Sequence, residues 1–187
     1  TSFTQVSQIS SQAWTNVWNF GQLTFATATG GNLYSCGSNA SGSLGIGNTS
    51  TSSFSSFTAC VYMDGSQVTN VKSVCSFSDN SNQTTLIIYI LLNSGEVYVT
   101  GKGSSYTTGM RTTLNTYNLY SFIGPIIRNV QDMNVSGSLT GTCVFLRTDG
   151  TVYITGQTSN GLCFLNGTVT SARPSCTEAF FNFERVY

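Results

Sequence analysis

A seven-residue motif that occurs three times constrains the fold of this chain more than any other feature. The motif reads Gly-x-(Leu/Val)-Tyr-x-x-Gly. Each copy follows a stretch rich in β-branched and aromatic residues, so a strand, a tight glycine turn and a second strand predict a β-hairpin in every copy. The motif positions to which we assign a structural role are Gly31, Tyr34, Gly37, Gly95, Tyr98, Gly101, Gly150, Tyr153 and Gly156.

A second recurring tripeptide sets the period. It reads Thr-Asn-Val at 15–17 and 69–71, Arg-Asn-Val at 128–130 and Glu-Arg-Val at 184–186, with spacings of 54, 59 and 56 residues. These spacings predict repeats at approximately 14–67, 68–127 and 128–183 within one domain spanning residues 1–187. No capped amphipathic helix pattern is present, and four short strands per period of about 50 residues are typical of a propeller blade. The predicted fold class is all-β, with three propeller blades.

Composition excludes several partners. Charged residues are only 7% of the chain, and seven basic and seven acidic residues cancel, which leaves no electrostatic footprint for nucleic acid. The longest apolar run, Leu86 to Leu92, has the length of a strand and not of a membrane span, so we expect no membrane insertion. No signal peptide opens the sequence, and a secreted protein would here be a mature form or a fragment.

Cysteine and asparagine usage bears on the compartment. An even number of cysteines without a CxxC pair favours disulfides in an oxidising, extracellular or surface-exposed location, with 15 possible pairings; buried thiols in a reducing cytoplasm are the alternative. The disulfide candidates are Cys36, Cys60, Cys75, Cys143, Cys163 and Cys176. Possible glycosylation sequons, which abundant Asn, Ser and Thr also produce by chance, are Asn39, Asn48, Asn82, Asn134 and Asn166.

Catalytic chemistry finds no support in the sequence. The chain contains no histidine, which removes Ser-His-Asp and Cys-His sites and the commonest metal ligand. The acids stand mostly at turns or chain ends, and Asp149-Gly150 is turn chemistry. We therefore predict no enzyme, no metal and no cofactor.

The residues from Gly31 to Thr49, GNLYSCGSNASGSLGIGNT, resemble the repeat of the RCC1 (regulator of chromosome condensation) family. Gly109 and Gly161 match later glycines of that repeat, whereas Cys36, Thr100 and Thr155 stand where the family usually has Trp. The resemblance implies a β-propeller, usually of seven blades. The nucleotide exchange on a small GTPase and the chromatin binding known in the family are not carried over, because no motif for exchange and no positive charge are present.

Three blades cannot close a ring, since closed propellers usually have 4 to 8 blades. The segments Phe3–Val6 and Ala179–Tyr187 resemble copies of one repeat element, and heterologous pairing of such ends produces rings or filaments. We therefore predict an extracellular structural subunit, a half-propeller that self-assembles by pairing its ends with other copies. A fragment of a longer propeller is the alternative reading of the same three blades.

A glycan- or receptor-binding adhesin module, for instance on a virion tail or a cell surface, is the alternative function. Aromatic rings beside amides and hydroxyls can stack on and hydrogen-bond sugars, although most aromatics in such a chain belong to the core. The candidates for surface glycans as partners are Trp14, Trp18, Tyr106, Tyr117 and Tyr120. The three motif tyrosines are expected at equivalent inner-blade positions.

Overall fold

The computed structural model describes residues 12–48, 50, 52–78, 86–103, 117–136, 142–156 and 173–179 of the 187-residue chain, and at 77–78, 103, 117–118, 136, 156 and 173–179 it describes the backbone alone. These residues form three four-stranded antiparallel sheets and contain no helix. The three sheets, which we call blades 1, 2 and 3, confirm the predicted all-β fold. They do not close into a barrel.

Each blade takes four consecutive strands in chain order. Blade 1 contains β1 (Trp14–Phe20), β2 (Leu23–Ala28), β3 (Leu33–Ser38) and β4 (Ser53–Ala59). Blade 2 contains β5 (Val71–Ser78), β6 (Leu86–Leu92), β7 (Val97–Gly103) and β8 (Tyr117–Ile127). Blade 3 contains β9 (Val130–Ser136), β10 (Thr142–Arg147), β11 (Val152–Gly156) and β12 (Arg173–Ala179).

The motif forms the hairpin between the second and third strands of every blade. In blade 2, the Leu92 amide donates to the Glu96 carbonyl and the Gly95 amide donates to the Leu92 carbonyl, each at 2.9 Å. Blades 1 and 3 repeat both bonds at the equivalent residues. The turn ends on a glycine with φ of +79° at Gly31 and +84° at both Gly95 and Gly150, a conformation that L side chains rarely adopt. The predicted hairpins are therefore present in all three blades.

The last glycine of the motif has a different role, which is close approach of the backbone. A Cβ at Gly37 would lie 2.0 Å from the Gln22 carbonyl oxygen, and one at Gly101 would lie 2.1 Å from that of Leu86. Both distances are far below the closest approach of two non-bonded atoms. Two strands of the hairpin therefore meet at a point where no side chain fits.

A bulge at the same place in each first strand fixes how the blades align. The register shifts after Trp14 in β1, after Val71 in β5 and at Val130 in β9. Trp14, and not Val17, is thus equivalent to Val71 and Val130, and the first Thr-Asn-Val anchor of the sequence pattern is wrong by three residues. The sequence pattern misplaced the anchor because the residue before the first strand differs between blades. It is an asparagine with positive φ in blades 2 and 3, Asn70 at +58° and Asn129 at +59°. In blade 1 the equivalent residue is Ala13.

Two apolar clusters hold the blades together, and blade 2 contributes to both. Along β6, Ile88 and Ile90 point into the cluster shared with blade 1, whereas Ile87, Tyr89 and Leu91 point into the cluster shared with blade 3. All five side chains are fully buried. The continuous apolar run of the sequence is therefore a strand covered on both faces.

Candidate interaction surface

Every blade presents two faces, and the strand register shows which residues belong to each. We call the face toward the preceding blade the leading face and the face toward the following blade the trailing face. Residues directly opposite each other in neighbouring strands lie on one face. The equivalent leading-face rows are Val17–Ala26–Tyr34 in blade 1, Val74–Ile90–Tyr98 in blade 2 and Met133–Phe145–Tyr153 in blade 3.

The leading face of blade 1 is uncovered at one end. Val74 and Met133, the first members of their rows, are 4% and 6% exposed because each packs into the cluster shared with the preceding blade. Val17, at the same register position, is 68% exposed. The other end of this face is covered by the blade's own aromatics, since the Trp14 ring lies 5.5 Å from Tyr34 and 4.7 Å from Phe57.

The trailing face of blade 3 is its counterpart. Its aliphatic residues Val144, Leu146 and Val152 are half-buried, whereas the equivalent Tyr89, Leu91 and Val97 of blade 2 are fully buried against blade 3. Ile154 is the exception at 3% exposure, close to its equivalent Val99.

The hairpin turns show the same difference. A Cβ at Gly31 would lie 3.0 Å from the Asn70 amide nitrogen, and one at Gly95 would lie 3.1 Å from the Val130 carbonyl oxygen. Each turn therefore rests on the first strand of the following blade. A Cβ at Gly150, with the same φ as Gly95, would meet nothing within 4 Å. The Gly150 turn thus has the same backbone conformation as the Gly95 turn but no strand packed against it among the described residues.

The glycine-rich segment after β3 fastens blade 1 to blade 2. The Ser43 hydroxyl donates to the Leu86 carbonyl at 2.7 Å, and the Gly47 amide donates to the Tyr120 carbonyl at 2.7 Å. The Thr100 hydroxyl lies 3.3 Å from the Gly42 carbonyl that it contacts. The segment that carried the family resemblance is therefore a connection between blades.

Searches by sequence find no known protein family and no curated protein that match this chain. Solved structures do match. The chain superposes on human WBSCR16 with a TM-score of 0.61 at 15% identity, and 92% of this chain covers 41% of that one. The crystal structure of Prp20p from Saccharomyces cerevisiae, described with its binding properties to Gsp1p and histones, gives 0.66 at 14% identity, covering 90% and 39% of the two chains.

A structure of yeast RCC1 (Prp20) bound to Kap60 gives a TM-score of 0.65 at 14% identity, covering 90% of this chain and 37% of that one. The fold is that of RCC1-like propeller blades. The present chain spans about two fifths of the length of these proteins, and at this level of identity the likeness concerns the fold.

The motif tyrosines of the RCC1-like blades lie at equivalent register positions but differ in burial. Tyr34 is 9% exposed. Tyr98 is half-buried and its ring lies 4.9 Å from that of Tyr62. Tyr153 is also half-buried, with the Arg147 guanidinium 5.3 Å from its ring centroid. The tyrosines therefore occupy equivalent positions on the leading faces, on the third strand of each blade, but only Tyr34 is buried.

The predicted disulfides are absent from the described part of the RCC1-like blades, and this prediction is wrong there. Cys36, Cys60, Cys75 and Cys143 are in the thiol form. They stand on different strands or connectors, and Cys60 and Cys143 are buried in different clusters. Cys163 lies outside the described residues, and the side chain of Cys176 in β12 does too.

Burial governs the chemistry of these thiols. It raises the pKa of Cys60 to about 12, against the opposing effect of a hydrogen bond with Ser35. Burial, assisted by the negative charge of Asp132, raises the pKa of Cys75 to about 11. A thiol with so high a pKa is protonated at neutral pH and is a poor nucleophile. Both cysteines are therefore structural.

The sequons fall in unlike environments. Asn39 is fully buried, and its amide nitrogen donates to the carbonyls of Asn48 and Ser50 at 2.9 and 2.8 Å. A glycan on this nitrogen is incompatible with the fold, so the sequon at Asn39 is a structural asparagine. Asn48 and Asn134 are exposed. Asn82 and Asn166 lie outside the described residues.

Among the acids of the described residues, Asp64 and Asp149 accept hydrogen bonds in turns, and Glu96 and Asp149 form surface ion pairs. Hydrogen bonds from Ser66 lower the pKa of Asp64, and hydrogen bonds from Thr151 lower that of Asp149, so both are ionised at neutral pH. Glu96 pairs with Arg128. Within the same part of the chain, no three side chains of His, Cys, Asp or Glu gather as metal ligands. Nor does this part contain a helix long and apolar enough to cross a membrane.

The aromatic candidates for sugar binding are mostly engaged elsewhere. Trp14 belongs to the aromatic group on blade 1, and Trp18 packs against the cluster between blades 1 and 2. Tyr120 is half-buried beside Gly42. Tyr106 and the side chain of Tyr117 lie outside the described residues. A small pocket at the junction of blades 1 and 2, lined in part by Gln22, has room for only a few waters.

Proposed function

We propose that this chain is an extracellular structural subunit, without catalytic activity, whose RCC1-like blades associate with those of other copies to form a ring or a filament. The observation that carries the proposal is the exposure of Val17. At 68% it contrasts with 4% for Val74 and 6% for Met133, which occupy the same register position in blades that have a neighbour. An apolar side chain at a blade-contact position is explained by a blade that packs on it.

The opposite end of the described fold supports the same proposal. The open Gly150 turn and the half-buried aliphatic residues of blade 3 repeat the positions through which blades 1 and 2 contact their followers. Repeat units that cannot bury their faces alone gain stability from a neighbour. The net charge of zero adds no electrostatic repulsion between copies.

The extracellular location rests on composition. Charged residues make up 7% of the chain, and Ser, Thr, Asn and Gly fill the surface in their place. The cysteines in the thiol form give this part of the proposal no support. The adhesin alternative has less support than self-assembly, because Trp14 and Trp18 are engaged in contacts within the fold; binding to a glycan array would favour it.

The test is the molar mass in solution as a function of concentration, measured by light scattering after gel filtration. We expect the native chain to form species of at least twice the monomer mass, and the Val17→Asp variant to remain monomeric. Met63→Asp is the matched control, because Met63 is 71% exposed in a turn outside the blade faces. This control should associate like the native chain.

A native chain that stays monomeric up to the highest soluble concentration would overturn the proposal. Equal loss of association in Val17→Asp and Met63→Asp would also contradict it, since the effect would then come from surface charge in general and not from the leading face.

A further inference from the structure

Most of the charged side chains that the structure describes are linked by contacts into one row. Of the eight, Lys72, Lys102 and Asp132 stand outside it. The other five lie with three tyrosines beside the hairpin turns of blades 2 and 3 and the turn that precedes blade 2. We call these residues the turn-end row: Tyr62, Asp64, Glu96, Tyr98, Arg128, Arg147, Asp149 and Tyr153. In a chain with only 7% charged residues, this concentration calls for an explanation.

The first part of the row joins the turn before blade 2 to blade 2 itself. The Tyr62 ring lies 4.9 Å from that of Tyr98, at an interplanar angle of 52°. Burial raises the pKa of Tyr62 to about 12, and the nearby carboxylates of Glu96 and Asp64 contribute to the shift. The Tyr62 hydroxyl is therefore protonated at neutral pH and can donate a hydrogen bond.

Two arginine side chains continue the row to blade 3. Arg128 pairs with Glu96, and the Arg147 Nε donates to the Arg128 carbonyl at 3.2 Å. The Arg147 Nη1 lies 3.2 Å from Asp149 Oδ2, and its guanidinium carbon lies 5.3 Å from the centroid of the Tyr153 ring. The row is thus continuous from the turn before blade 2 to the hairpin of blade 3.

The row contains one similar unit at each of blades 2 and 3, a motif tyrosine with an arginine and a carboxylate. The units are Tyr98 with Arg128 and Glu96, and Tyr153 with Arg147 and Asp149. Blade 1 lacks the unit, since its hairpin turn, residues 29–32, carries no charge. The two units stand one blade apart, so they can contact successive parts of one linear ligand.

Stability of the fold gives little reason for these charges. The Arg128 side chain is 63% exposed and that of Asp149 is 50% exposed, and ion pairs at such positions contribute at most about 1 kcal/mol. The blade 3 turn uses Asp149, which accepts from the Thr151 amide at 3.0 Å, but it does not use the arginines. The exposed guanidinium groups therefore keep N–H donors on the surface, since each carries five.

We propose that the turn-end row binds a neutral oligosaccharide that spans the units of blades 2 and 3. Each guanidinium stands beside a carboxylate, so a unit presents strong donors and strong acceptors with little net charge. Sugar hydroxyls match both, because a hydroxyl donates to a carboxylate and accepts from a guanidinium. A polyanion or a polycation would meet a like charge at every unit.

The tyrosines complete the site. Tyr62, Tyr98 and Tyr153 are half-buried, and a tyrosine at such a position offers an apolar ring edge and a polar hydroxyl together. This sugar site is distinct from the aromatic candidates of the sequence, and it does not depend on association between copies.

Saturation-transfer NMR on the full chain tests the proposal with four neutral probes: cellohexaose, mannohexaose, galactohexaose and N-acetylchitohexaose. We expect transfer to at least one, with higher affinity for the hexasaccharide than for its monosaccharide, because the longer chain reaches both units. Arg128→Gln and Arg147→Gln should each lower the affinity about tenfold through loss of a charge-assisted hydrogen bond. Lys102→Gln is the matched control, because it removes a positive charge near the other end of β7, and it should leave the affinity unchanged.

Several results would overturn the sugar site. One is the absence of transfer to all four probes at millimolar concentration. Another is binding that survives both arginine substitutions, or that falls equally in Lys102→Gln, in variants whose circular dichroism is native. Stronger binding of alginate or polylysine, lost in about 0.5 M salt, would assign the row to a charged partner instead. Light scattering of the native chain and Val17→Asp tests association separately, so these results leave the proposed function standing.

Discussion

The second strands of blades 1 and 2 occupy the same place in their sheets but carry different kinds of sequence. In β6, every residue from Ile87 to Leu91 is apolar and fully buried. In β2, the large apolar residues Leu23 and Phe25 point toward blade 2, and the alternate positions on the leading face carry Thr24 and Ala26. A blade strand is thus apolar on both faces where it has a blade on each side. In β2 the small residues Thr24 and Ala26 mark the face that has no preceding blade among the described residues.

The largest effect is expected from a charge at Val74, which is buried on the leading face of blade 2. We expect Val74→Asp to reduce the free energy of unfolding by about 5 kcal/mol, because it removes an apolar contact worth about 2 kcal/mol and buries an uncompensated charge that costs about 3 kcal/mol. Chemical denaturation measures the loss. Val17→Asp, at the equivalent exposed position, should change the stability of the monomer by less than about 0.5 kcal/mol.

Truncation of a trailing-face residue probes the same contrast between blades 2 and 3. Tyr89→Ala should lower the free energy of unfolding by about 3–4 kcal/mol, because the ring is fully buried and makes an edge-to-face contact with Phe145. The equivalent change in blade 3, Val144→Ala, should cost only about 1 kcal/mol in the monomer. Equal losses from the two variants would show that blade 3 is as well covered as blade 2.

The turn glycines separate backbone conformation from contact between blades. We expect Gly150→Ala to cost about 1 kcal/mol, the strain of a positive φ alone. Gly95→Ala has the same φ, but its Cβ would also press on Val130, so the total should reach about 2 kcal/mol. Thermal unfolding of both variants gives the difference, and an equal cost would contradict a tight junction at Gly95.

The smallest effect concerns the buried thiol at the junction of blades 1 and 2. The Cys60 pKa rises from 9.0 to about 12 on folding, so above pH 9 the unfolded chain releases a proton that the folded chain retains. The free energy of unfolding should therefore fall between pH 9 and 12, by about 1 kcal/mol at pH 10 for this group. Cys60→Ala should show a shallower slope in this window than the native chain; parallel slopes would count against the assignment.

The three blades could be predicted from the sequence because the glycines and turn residues of a hairpin lie within a few positions of each other. Gly37 and Gly101 are required by close contacts with the carbonyls of Gln22 and Leu86, at the start of the preceding strand, and the two contacts occupy equivalent places in the hairpins of blades 1 and 2. The apolar run Leu86–Leu92 predicted a strand, but its residue types do not show that alternate side chains pack into two different clusters. That division depends on which blade stands on each side.

Features that depend on tertiary structure could not be predicted from the sequence. The anchor at Val17 was assigned to the wrong register because Ala13 replaces the asparagine that marks the other blades, and only strand pairing revealed the shift. The disulfide prediction is wrong for the four described cysteines because an even number of cysteines says nothing about which strands carry them. The signal for Asn39 was available: an asparagine before a glycine-rich segment is a common turn residue, and here it holds that segment in place.

Beside the two apolar clusters, the junctions between blades contain a set of main-chain contacts: the Gly47 amide donates to the Tyr120 carbonyl, the Val130 amide donates to the Gly95 carbonyl, and glycine turns lie against strand backbone. Contacts of this kind place few demands on side chains apart from the glycines. At these main-chain contacts the side chains can therefore change without altering how one blade packs on the next, whereas the clusters between blades require buried apolar side chains. An architecture shared at 14–15% identity is the outcome expected when evolutionary drift acts on side chains and the backbone keeps the shape.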